Sequence, residues 1–127
     1  MNVDQQTGEV VDNGLPVNPA EVEQNIRELA NQVAAGVKIV SERLRKFRDA
    51  ERHYDLRFAV EYGAYEGPAH MRKYAAEIAT SEERKARDDA EVEWKHAERT
   101  MRAFETQLSA WQSIGKSVTQ MFGAAGA

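Results

Sequence analysis

From Ala90 to Phe122 the large apolar residues alternate in steps of four and three: Ala90, Trp94, Ala97, Met101, Phe104, Leu108, Trp111, Gly115, Val118 and Phe122. Two interleaved series of sevens compose the run, one through Trp94, Met101, Leu108, Gly115 and Phe122, the other through Ala90, Ala97, Phe104, Trp111 and Val118. A seam that repeats every 3.5 residues is what a helix needs to lie along other helices rather than on a sheet. At about 1.5 Å per residue the helix is roughly 50 Å long, too long for one small globular core to cover. The chain is therefore expected to be all-α, and the seam calls for a continuous helical partner.

Composition sets the limits of that reading. The chain has 127 residues, 42% hydrophobic and 30% charged, with a formal net charge of -4 and no cysteine. That length suits one domain, and the bias of its middle toward Ala, Glu, Arg and Lys favours long helices. Without cysteine there is neither a disulfide framework nor a thiolate metal site. The first residues lack the order of a signal peptide and no apolar run approaches the ~20 residues of a membrane span, so a cytoplasmic protein is expected. Asp4, Glu9, Asp12, Glu21 and Glu23 all precede the first base, Arg27, which leaves the rest of the chain close to neutral.

Three segments follow. Residues 1–17 are polar, with two glycines and a proline and no sustained period, and read as a disordered acidic arm. Residues 18–122 read as a helical hairpin, and residues 123–127 as a flexible tail. Asn18 can cap the first helix, Pro19 suits its first position, and Glu21 stands three residues past the cap. Val22, Ile26, Leu29, Val33, Val37, Val40, Leu44 and Phe47 keep helical spacing, and Tyr54, Phe58, Tyr62 and Tyr65 extend that face. Gly36 marks a kink or a close helix contact. Gly63, Gly67 and Pro68 interrupt the pattern and mark the reversal. A short helix over 68–79 has Met71, Tyr74, Ala75 and Ile78 as its apolar side. Thr80 to Glu83 repeats the capping signature, so the last helix runs from about Ser81 to Phe122. Two long antiparallel helices leave apolar stripes that a lone hairpin covers poorly. Assembly as an oligomeric bundle or ring through Trp94, Met101, Phe104, Leu108, Trp111, Val118 and Phe122 is expected.

Catalytic chemistry finds little support. Gly115-Lys116-Ser117 resembles the end of a phosphate-binding loop, but Ala110 stands where that loop needs glycine and no strand precedes it. Gly115 suits a close approach of helices instead. Glu93 and His96 have the spacing used in di-iron bundles, but that site needs a second such pair and two more glutamates. No Ser, His and Asp arrangement points to a nucleophilic triad. We read the chain as no enzyme, with no metal or cofactor.

Two basic clusters remain. One is Arg43, Arg45, Lys46, Arg48, Arg52 and Arg57, in which Arg45, Arg48 and Arg52 share a face by their spacing. The other is Arg72, Lys73, Arg84, Lys85 and Arg87. In the hairpin both lie toward the tip, among Tyr54, Tyr62, Tyr65 and Tyr74. Cations for phosphates beside aromatics for bases are the ingredients of sequence-tolerant single-strand binding. Glu42, Asp49, Glu51, Asp55, Glu82, Glu83, Asp88 and Asp89 are interspersed, a pattern that also describes a solvated helix of mixed charge.

The order of these features resembles small phage recombination mediators of the UvsY type, and more broadly the short helical proteins encoded beside phage recombination genes. The resemblance spans Leu44 to Val118. It rests on Arg52-His53-Tyr54-Asp55, the stretch Glu61-Tyr62-Gly63-Ala64-Tyr65-Glu66-Gly67, Arg72-Lys73-Tyr74, Thr80-Ser81-Glu82-Glu83, Ala90, Trp94, and Leu108-Ser109-Ala110-Trp111-Gln112-Ser113-Ile114. It implies a phage-encoded helical oligomer in the host cytoplasm that binds single-stranded DNA and helps a recombinase displace a single-strand binding protein. By that resemblance the basic residues would touch phosphate and the C-terminal seam would assemble the ring. A virion scaffold, chaperone or inhibitor that offers its helices to another protein is the rival reading. A surface-active C-terminal helix is a further one. Against it stands the scarcity of basic residues after Arg102, with Lys116 alone remaining.

Overall fold

A computed structural model describes residues 18–126; the expected acidic arm, residues 1–17, and Ala127 lie outside the described residues. Among the described residues three α-helices follow in order, α1 (Pro19–Ala64), α2 (Arg72–Ala79) and α3 (Ser81–Gly126), with a 3-10 turn at Ala69–Met71 before α2. No strand occurs among the described residues. Each long helix has 46 residues. α3 continues past Phe122, through residues read from the sequence as a tail.

The start of α1 forms for the local reason expected. The backbone N–H of Glu21 donates to Asn18 Oδ1 at 2.9 Å, which satisfies one of the four amides that a helix leaves unpaired at its N-terminus. The start of α3 is different. Thr80 is fully buried, and its hydroxyl donates back to the Ala76 carbonyl at 2.7 Å, as does its own N–H at 3.1 Å. Only this residue separates α2 from α3, so its donors close the end of α2. The expected cap on α3 does not form.

The residues divide into two compact units, and α1 and α3 contribute to both. In the first, residues 18–30 of α1 accompany residues 106–126 of α3. Val22, Leu29 and Val118 are buried there. Gly115 brings the two helices close, since a Cβ on it would stand 3.2 Å from Val22 Cγ1 and 3.4 Å from Ile26 Cδ1.

The second unit spans residues 31–105. Gly36 faces Met101, Phe47 faces Trp94, and Tyr54 faces Arg87, so α1 and α3 run antiparallel here. Phe47 and Trp94 stack with centroids 5.5 Å apart and planes 11° apart. Every seam position from Ala90 to Met101 and on to Phe104 is buried or half-buried, as is each of Val33, Val40, Phe47 and Tyr54 on α1. The stripe on α1 departs from expectation at Val37 and at Tyr62, which is 43% exposed. Val37 is 53% exposed and Gly36 takes its place against α3, because the Met101 side chain occupies the room that a larger residue would need.

α2 turns a different side inward from the one its large apolar residues mark. Ala76 is buried and Ala75 half-buried, while Tyr74 and Ile78 are 57% and 75% exposed and Met71 is exposed as well. The one-residue link at Thr80, bonded twice to Ala76, sets the rotation of this helix, and small residues permit its close approach.

Candidate nucleic-acid interface

The face of α1 that carries Arg45, Arg48 and Arg52 is exposed at all three positions. Helical spacing of three and four aligns these guanidinium groups, and two of them hold acids of the same helix: Arg48 Nη1 donates to Glu51 Oε1 at 3.1 Å, and Arg52 pairs with Asp49. Arg48 also lies over the Phe47 ring at 5.3 Å. Arg43 is turned away from this face. It is half-buried and borders a groove with Gly36, Ile39, His96, Met101 and Phe104.

Most of the other candidate cations are also engaged. Lys46 Nζ donates to Glu93 Oε2 at 2.9 Å across the two helices, Arg57 pairs with Glu61 at 2.6 Å, and Lys85 pairs with Asp89 at 2.7 Å. Arg87 holds Asp88 at 2.9 Å, and Lys73 lies 4.0 Å from Glu77. Arg45 and Arg84, like Arg43, have no carboxylate within ion-pair distance among the described residues. The Lys85 ammonium is held above its ordinary value, first by its hydrogen bond to Asp89 and then by that carboxylate's charge. Arg87 is raised too, chiefly by its hydrogen bond to Asp88.

The tyrosines divide into covered and open. Tyr54, Phe58 and Tyr62 form a file along α1 with successive centroids 6.1 Å apart. Arg87 lies over Tyr54 at 4.7 Å and Arg72 over Tyr62 at 5.5 Å. A cation over an aromatic face is attracted by the ring quadrupole, so one of the protein's own arginines occupies a face of each of these two rings, although Tyr62 is still 43% exposed. Spacing could not have shown this, because each arginine arrives from a different element. Tyr65 is half-buried, and Tyr74 remains open.

The seam residues find their partner within the chain. Trp94 and Met101 pack on α1 and Val118 is buried, while Phe104, Leu108 and Trp111 are half-buried and Phe122 is 48% exposed. Glu93 bonds Lys46, and no cluster of three or more His, Cys, Asp or Glu that could hold a metal ion occurs among the described residues. No helix among them is long and apolar enough to cross a membrane.

What this geometry defines is an all-α protein in which one long helix packs on another and carries an exposed arginine face. Compared with protein-family models, with curated proteins and with solved structures, the chain matches none.

Proposed function

We propose that this chain is a non-catalytic accessory protein that self-associates and binds single-stranded DNA through the arginine face of α1, in the manner of a phage recombination mediator. The observation that carries the reading is the exposure of Arg45, Arg48 and Arg52 on one side of α1. The carboxylate partners of Arg48 and Arg52 are themselves solvent-accessible. Exposed pairs of this kind are worth about 0.3–0.5 kcal/mol each, so phosphates displace them at little cost. Self-association draws support from burial. Among the described residues the buried hydrophobic side chains are six, Val22, Leu29, Phe47, Ala76, Ala90 and Val118, whereas twelve large ones are exposed. A protomer with so little interior has much to gain from sister helices, and a repeated subunit would multiply a patch that each copy carries thinly.

The test is fluorescence anisotropy of a labelled oligonucleotide with the intact protein at low salt, beside sedimentation with and without the oligonucleotide. Binding should fall steeply with salt, and Arg45→Glu, Arg48→Glu and Arg52→Glu together should abolish it with helix content retained. Three lost phosphate contacts correspond to about 2 in the slope of log Kobs against log salt. No binding at low salt sinks the DNA reading, and a monomer at micromolar concentration sinks the assembly.

One observation favours the second reading, a helical module for protein interaction alone. Six of the eleven candidate cations already hold a carboxylate, Lys73 lies 4.0 Å from another, and Arg72 lies over a ring. A stoichiometric protein partner in a pull-down, with DNA affinity absent, would establish it.

A further inference from the structure

We propose that Tyr74, flanked by Lys73, is the platform on which this protein stacks a nucleic-acid base, and that this residue rather than the tyrosines of α1 sets any preference for single strands. The inference rests on the DNA reading above and adds a stacking subsite to its phosphate contacts.

The argument begins by elimination among the aromatics. Tyr54 lies under Arg87, Tyr62 is 43% exposed but has Arg72 over its ring, and Tyr65 is half-buried. Tyr74 is 57% exposed and, among the described residues, touches no other ring and no cation. Met71 and Ile78 stand three residues before it and four after it, on the same side of α2, and both are exposed. Two apolar side chains beside an open phenol ring make a surface that suits the flat face of a base.

Charge selects the occupant. Arg72 and Lys73 outnumber Glu77, the one acid of α2, and His70 stands in the turn just before. The Lys73 side chain is 71% exposed and 4.0 Å from Glu77, the longest ion pair among the described residues, so the ammonium is open to a phosphate. A protein partner fits less well. Three apolar side chains on two turns of helix are far short of the ~800 Å² that each side of a stable interface buries. A single nucleotide needs only one ring and one neighbouring charge.

The experiment uses the full chain with Tyr74→Ala and Tyr74→Phe, a labelled oligothymidine, and a duplex of the same length, by anisotropy at one salt concentration. Tyr74→Ala should weaken single-strand binding by roughly 5- to 150-fold, the range that base stacking on an aromatic ring supplies, and leave duplex binding unchanged. Tyr74→Phe should keep the wild-type value. Equal losses on both nucleic acids, or no loss on the single strand, overturn the proposal. A fall in sedimenting mass with single-strand affinity intact also overturns it and assigns the strip to self-association. If the wild-type protein binds neither oligonucleotide, the DNA reading falls and takes this subsite with it. Binding that ignores Tyr74 removes the subsite alone.

Discussion

Replacement of Phe47 by alanine tests the packing of the second unit most directly. Phe47 is 5% exposed and stacks on Trp94 with centroids 5.5 Å apart, so it is the best-covered aromatic ring at this helix contact. Deleting a buried phenylalanine costs about 3–5 kcal/mol, the sum of lost transfer energy and the cavity left behind. Trp94 is itself half-buried, and the gap would open toward solvent between two helices rather than remain enclosed. The expected loss therefore lies near the lower end, about 3 kcal/mol, of which the ring stack supplies about 0.5–1.5 kcal/mol. Urea unfolding followed by far-UV circular dichroism, at one fixed protein concentration, measures it. A cycle with Trp94→Ala isolates the pair. A loss below about 1 kcal/mol, or no coupling within the cycle, would refute the claim that this stack holds the two helices together.

Other expectations concern the glycines and the first cap. Gly63 lies in the last turns of α1 and a Cβ there meets nothing within 4 Å, so Gly63→Ala should stabilise the protein by roughly 0.5–1 kcal/mol in the same unfolding assay. Gly115→Ala should do the opposite. Its Cβ would press to 3.2 Å from Val22 Cγ1, a branched side chain that is stiff and 3% exposed, and overpacking of about 1–3 kcal/mol outweighs the gain in helix propensity. Equal effects at the two sites would show that the close approach at Gly115 is absent in solution. Asn18→Ala removes the acceptor for the Glu21 amide and should cost about 1 kcal/mol, with Asn18→Asp restoring it.

The candidate site was partly legible in the chain and partly hidden. Arg45, Arg48 and Arg52 could be placed on one face because spacing along a single helix is a local property. Arg43 belongs to the same run of bases yet turns toward the groove beside Met101, since a step of two residues moves it most of the way to the other side. The cover that Arg87 and Arg72 give to Tyr54 and Tyr62 had no signal in the linear order. Residues that distant meet only when their helices are already docked. The Lys46 to Glu93 bond across the helices belongs to the same class.

For the long helices, the pattern of residues alone was enough to settle type and inward side, and for α1 the capped start as well: a seam sustained over ten apolar positions averages out local exceptions, and the Asn18 cap acts within one turn. Val37 shows the limit even there, because choosing between a step of three and a step of four depended on the methionine opposite. α2 shows it more fully. Its eight residues make barely two turns, with alanines on one side and Met71, Tyr74 and Ile78 nearby on another, so hydrophobicity does not say which side faces in. That choice fell to the Thr80 link and to the small residues that admit close packing. Periodicity is written along the chain, whereas the rotation of a short helix about its own axis is set only by what it is docked against.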